Sequence, residues 1–261
     1  MIVPVIALNT FREAVRDKIL YVLLVFGILM ILVSRAIGWV SFGGEEKIMT
    51  DIGLGAIWMF TGMVSIFIGT GLIYKEIDKR TIYTILAKPT ERWQFLAGKY
   101  LGLVLTTLVN LVALSMVFLG YLWLCGAPVT LALVEALFLT FLEMMVITAV
   151  AIFFSSASTP ILSAIFTTIV FLAGQLTNRV VDLGARLHAD HPWAEKILYL
   201  VYLVLPNLNN FNIRREAVLA TQDRLHMAIP SSELAACTLY GLAYTLSVLL
   251  AAHLVFSRRN F

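Results

Sequence analysis

"YKEIDKRTIYTILAKPTERWQFLAGKY", residues 74–100, interrupts a chain that is otherwise strongly apolar. Between Lys75 and Lys99 it holds nine charged residues, six basic and three acidic, and Pro89 breaks it in the middle. Mostly apolar runs flank it, Ile52–Tyr74 before and Tyr100–Leu124 after. A helix of about 20 residues, rising 1.5 Å per residue, crosses the roughly 30 Å hydrocarbon core of a bilayer. The charged stretch therefore reads as a kinked connection between two membrane spans. Four further runs have spanning length: Ile19–Val40, Leu131–Phe154, Pro160–Asn178 and Leu234–Phe256. Lipid offers the backbone no hydrogen-bond partners, so such runs must be helices unless they close into a barrel. The alternating ten-residue strands of a barrel are absent. The expected fold is an all-α polytopic membrane protein, one domain over residues 1–261 with six transmembrane helices.

Composition agrees. Of 261 residues, 60% are hydrophobic and 13% charged, and the mean hydropathy is +0.90. Soluble domains carry about 25% charged residues, so an ordinary soluble domain is excluded. Residues 1–18 do not read as a cleavable signal. The apolar run after them exceeds the about 7–15 residues of a signal core, and no small-x-small site follows. Lys and Arg number eleven in residues 1–18, 75–99 and 257–261, but only one, Lys47, lies in the short connections 41–51 and 125–130. The positive-inside rule then puts both termini and the charged stretch in the cytoplasm, and the protein in the cytoplasmic (inner) membrane. The outer loop, residues 179–233, balances six basic against six acidic residues and does not oppose this orientation.

Two smaller segments flank the spans. "MIVPVIALNTFREAVRDK" (residues 1–18) has Pro4 in a first helical turn and apolar Val5, Leu8, Phe11 and Val15 at three- and four-residue spacing. Asn9, Arg12, Glu13, Arg16 and Asp17 face elsewhere, so this reads as an amphipathic helix lying in the membrane interface. A plain flank of the first span is the alternative. In the outer loop, Ile197–Leu205 would be only about 13 Å long as a helix, too short to span, and Pro206 stops it. It is expected to be a short re-entrant or interfacial helix before the last span.

Within the opening stretch, "RTIYTILAK" suits a helix of two or three turns that Pro89 ends, because proline drives the preceding residue out of helical geometry. Thr90 can cap the next helix, with Glu91 near its positive end. Tyr83, Ile85 and Leu86 are too apolar to face only water, and a cytoplasmic docking partner would cover them. The plainer reading is a topology signal whose long side chains snorkel.

With Glu76, Thr81, Lys88, Pro89, Arg92, Phe95, Gly98 and Lys99, the stretch resembles the cytoplasmic loop of type-2 ABC exporter permeases. The opening "IALNTFREAVRDKILYVL" and the outer "LPNLNNFN" resemble the same family, in the NosY-like branch associated with copper-enzyme maturation. The layout is similar over the whole chain. In that family the loop is a coupling helix seated in a groove of a separate ATPase subunit. The resemblance therefore implies ATPase-docking residues Glu76, Arg80, Thr81, Tyr83, Leu86, Lys88 and Pro89, a second permease copy (homodimer or related heterodimer), and no cofactor. It also adds weight to Glu143, since an acid in the fourth span recurs there. No G-x-x-x-x-G-K-[ST] phosphate loop occurs: Gly98-Lys99 is followed by Tyr100 and lacks the upstream glycine.

Inside the spans, Glu143 in "FLTFLEMMVITAVAIFF" sits mid-run, where a carboxylate costs about 2.5–3.5 kcal/mol on insertion scales and faces a bundle interior or cavity. Interhelical structure and pathway lining both remain open for it. Asn110 reads as an interhelical hydrogen-bonding residue, and Ser65-x-x-x-Gly69 as a close-packing pair. Arg35 and Glu135 lie near the outer face and either pair or snorkel. His188 and His191 are three apart in "HADHP", a spacing that can present two nitrogens to a metal, but no third ligand is nearby, so no metal site is assigned. Cys125 and Cys237 fall at outer helix ends and read as free thiols.

The function expected is the membrane-spanning permease subunit of an ATP-driven exporter, with membrane lipids around it and no nucleic-acid partner. It is not itself an enzyme. The alternatives are a non-transporting anchor or channel-like partner of an ATPase, or an integral-membrane enzyme. The last needs clustered catalytic groups at one depth, whereas Glu143 stands alone at mid-depth.

Overall fold

The structure, a computed structural model, describes residues 2–39, 45–78, 91–177, 179, 202, 204–223 and 230–258. Among them there is no strand. The helices are α1 (Val3–Val15), α2 (Lys18–Trp39), α3 (Glu45–Asp78), α4 (Arg92–Leu124), α5 (Leu131–Ala157), α6 (Pro160–Gln175), α7 (Arg214–Asp223) and α8 (Ser231–Arg258), with a 3-10 turn at Leu208–Phe211 before α7.

Local chemistry sets the ends. Pro4 and Pro160 occupy the first turns of α1 and α6, where a missing N–H costs nothing. The Asp17 side chain accepts the Ile19 backbone N–H at 3.1 Å, capping α2 as it leaves the α1 turn. α4 closes through Gly126, whose φ of +78° suits glycine. Gly126 N–H bonds Trp123 O (3.1 Å) and Ala127 N–H bonds Leu122 O (3.0 Å), a Schellman ending that turns the chain straight into α5. Glu91, extended at φ −72° and ψ 144°, takes the N-cap position of α4. Thr90, the cap expected from sequence, lies outside the described residues.

Among the described residues, five helices are long and apolar enough to cross a membrane: α2, α3, α4, α5 and α8. α6 is apolar but has 16 residues, about 24 Å, so it falls short of the 30 Å core where Pro160–Asn178 was expected to span. α3 and α4, at 34 and 33 residues, are each about 50 Å long and exceed that core. The second span was expected to end at Tyr74, but the helix continues through Lys75 and Glu76 to Asp78.

α5 is the buried centre. Met144, Val146, Ile147, Ala149, Ala151 and Ile152 are all fully enclosed. α3 packs on α5, α4 and α2, while α8 packs on α5 and α4. At one end Leu54, Phe60, Leu114, Phe118 and Leu133 form a core that Ala217 and Val218 of α7 complete. At the other end Ala14 of α1 joins Val64, Leu96, Leu103, Ala149 and Ala252. α2 and α8 expose Phe26, Leu29, Val33, Leu246, Leu250 and Leu254, as peripheral helices in lipid do.

α1 is helical, as its spacing suggested, and it buries a second face that the spacing did not mark. Val5 is 67% exposed and Leu8 46%, while Thr10 and Ala14 are fully buried against α4. Small residues decide this: a Cβ at Gly98 would lie 2.7 Å from Ile6, and one at Gly102 would lie 2.5 Å from the Ala7 carbonyl oxygen. The pair Gly98-x-x-x-Gly102 thus lets α1 approach the α4 backbone. Glu13 lies on this packed side, within reach of α4, and not on the free polar face expected for it.

Candidate functional site

The first region of interest is the junction at the start of α4. Of the expected docking residues, Glu76 lies on the last turn of α3, and Arg80, Thr81, Tyr83, Leu86, Lys88 and Pro89 lie outside the described residues. What is described is how the helix emerging from that segment is held. Arg92 donates from Nη1 to the carbonyls of Ser257 (2.7 Å) and Phe256 (3.3 Å), the C-terminal end of α8. A guanidinium there meets the negative end of the helix. Phe95 stacks on Phe256 with ring centroids 6.0 Å apart. Trp93 Nε1 donates to Glu91 across the first turn.

One turn further on, Lys99 is 1% exposed, 3.8 Å from Glu13 Oε2 of α1 and 5.9 Å from the Phe95 ring centroid. A buried ammonium is tolerated only with such company. Lys99 was legible as a basic flank of the charged stretch, yet α1 and α4 enclose it. The N-terminal helix, the start of α4 and the end of α8 therefore form one packed unit directly after residues 79–91.

The second region surrounds Glu143, which is 1% exposed on α5. Its carboxylate accepts from Trp58 Nε1 of α3 at 2.9 and 3.1 Å and from Gln175 Nε2 of α6 at 2.5 Å. Trp58 is itself held by stacking on Phe171 of α6, centroids 4.7 Å apart. A cavity of about 260 Å³ opens beside these groups, lined by Leu54, Trp58, Ala136, Thr140, Glu143, Gln175 and the Phe211–Arg214 segment. At its mouth Arg214 Nε donates to Asp51 Oδ1 at 2.7 Å, tying α7 to α3. Trp58, Gln175, Asp51 and Arg214 were not singled out in the sequence. They stand 85 and 32 residues from Glu143 and 163 residues from each other, with no shared motif.

The remaining candidates separate. Asn110 is 1% exposed and neither side-chain atom finds a hydrogen-bond partner among the described residues. Ser65 reaches Thr107 at 3.3 Å, and a Cβ on Gly69 would lie 3.0 Å from Ala151, so α3 approaches α5 closely there. Arg35 Nη1 donates to Cys125 Sγ at 3.4 Å, and both cysteines are free. His188 and His191 lie outside the described residues, and so does most of Ile197–Leu205, the expected re-entrant helix. Among the described residues no group of three His, Cys, Asp or Glu could hold a metal ion.

Long apolar helices, a charged break between the second and third of them, and a buried carboxylate beside a cavity define a polytopic membrane protein of the transporter kind. The model of the ABC-2 family transporter proteins matches residues 5–261, and the chain belongs to that family. No curated protein matches it. Membership makes it a membrane permease of an ABC transporter and implies an ABC ATPase as its partner.

Proposed function

We propose that this permease exports its cargo across the cytoplasmic membrane, and that the coupling segment, residues 75–99, docks a separate ATPase subunit whose closure drives the spans. The observation carrying this reading is the junction at the start of α4. A load entering at Arg92 meets α1 through the Lys99–Glu13 pair and α8 through Arg92 and Phe95. Three elements would then move as one. Glu76, Arg80, Thr81, Tyr83, Leu86, Lys88 and Pro89 are the docking set. Six spans, with α6 and the residues after it completing the fifth, return both termini to the cytoplasm, where the docking segment must lie. Two copies, identical or related, enclose the path. The "LPNLNNFN" stretch supports placement beside the copper-enzyme-maturation permeases.

The test is co-purification. An ABC ATPase should be recovered with the wild-type chain and lost when Thr81, Tyr83 and Leu86 are replaced by glutamate. Retention of the ATPase by that triple variant, folded and at wild-type abundance, refutes the docking assignment.

A further inference from the structure

The geometry points to the Glu143 cavity as a binding site for a small organic ammonium ligand, admitted past the Arg214–Asp51 pair. Both hydrogen-bond partners of Glu143 among the described residues, Trp58 and Gln175, are neutral. They hold the carboxyl group in place but bring it no positive charge, which a bound cation would supply. A carboxylate has about four acceptor positions. The Trp58 N–H is shared between both oxygens and Gln175 occupies one more position, so acceptor capacity remains.

The rest of the wall has the same bias. Trp58 and Gln175 direct their donors at Glu143, and Arg214 Nε directs its own at Asp51. The Thr140 hydroxyl donates to the Ala136 carbonyl at 2.8 Å, which leaves its oxygen free to accept. Apart from the remaining N–H groups of Arg214, whose charge Asp51 offsets, these groups offer acceptors to a ligand that brings donors. Trp58 and Phe211 add aromatic surface of the kind that attracts ammonium groups. A metal ion fits poorly, because the described residues gather no three ligating side chains. At about 260 Å³ the space falls below the roughly 300–1,000 Å³ of drug-sized sites, so the ligand is small. Only in treating that ligand as cargo does this inference rest on the export reading. Binding itself does not.

The probe is benzylammonium, with benzyl alcohol as its neutral counterpart, added to the purified full chain in detergent at neutral pH. Benzylammonium should raise Tm saturably and quench tryptophan fluorescence, and benzyl alcohol should do neither. Glu143→Gln, which keeps an acceptor for Trp58, should weaken the benzylammonium response by about tenfold or more, as expected for losing a charge-assisted contact. Thr140→Phe keeps the carboxylate but fills the cavity, and should abolish the response; it decides the matter if Glu143→Gln does not fold. No response of the wild type, an equal response to benzyl alcohol, or unchanged binding in the folded variants overturns the site. Neither ATPase nor transport enters the assay, so its failure is distinct from failure of the docking reading.

Discussion

Two buried polar residues show how differently one polar side chain can fare inside a bundle. Glu143 collects an indole N–H and an amide N–H, and the helices carrying them are tied together through it. Asn110, equally buried, has no such partners among the described residues. An unsatisfied buried polar group costs about 1–3 kcal/mol, whereas an apolar replacement of the same shape is neutral or stabilising. Asn110→Leu should therefore keep or raise Tm in a thermal melt of the solubilised chain, and a marked fall would show that the amide bonds something the monomer lacks. Sequence alone could mark both residues, because a polar letter in an apolar run stands out. It could not tell them apart, since the difference lies in helices brought alongside by folding.

Among elements, α1 is the one whose pattern told only part of its packing. Its apolar spacing is real, and Val5 and Leu8 do remain exposed for a lipid surface to cover. Its attachment, however, runs through Ile6, Ala7 and Thr10 onto two glycines of α4, and glycines carry little weight in a hydrophobic pattern. Gly102→Val should prise the pair apart, since even the first added carbon would sit 2.5 Å from the Ala7 carbonyl. Overpacking of this kind costs about 1–3 kcal/mol. The expected result is a lower Tm and faster amide exchange over Ile6–Ala14. Gly120→Val, on the same helix with nothing within 4 Å, should change neither. α7 went unread for a related reason. Its buried Ala217, Val218, Ala220 and Thr221 sit among charged letters in a loop that was read only for its balance of signs.

For the molecule as a whole, the helical class and most span limits were readable because hydrocarbon leaves a chain few choices. α2, α4, α5 and α8 begin and end within a few residues of the apolar runs, apart from the first two turns of α4. The six-span count turns on α6, which has 16 residues where a crossing takes about 20. Single cysteines in a cysteine-free background make this testable in whole cells. With six spans, Ile85→Cys should react with a membrane-impermeant maleimide only after the cells are opened. His188→Cys should react from outside without opening them. Labelling of both positions from one side would leave an even number of crossings between them, where six spans require three, and refute the count.

α3 runs without a proline or other break from Glu45 to Asp78. Trp58 lies 20 residues before Asp78, about 30 Å along the axis. A stiff rod of that length behaves as a pair of pliers does, with handle and jaw on one shaft. Rocking Asp78 by about five degrees would swing the indole some 2–3 Å, enough to pull its N–H off the Glu143 oxygens. Nothing need travel through the bundle residue by residue, because the tool itself turns.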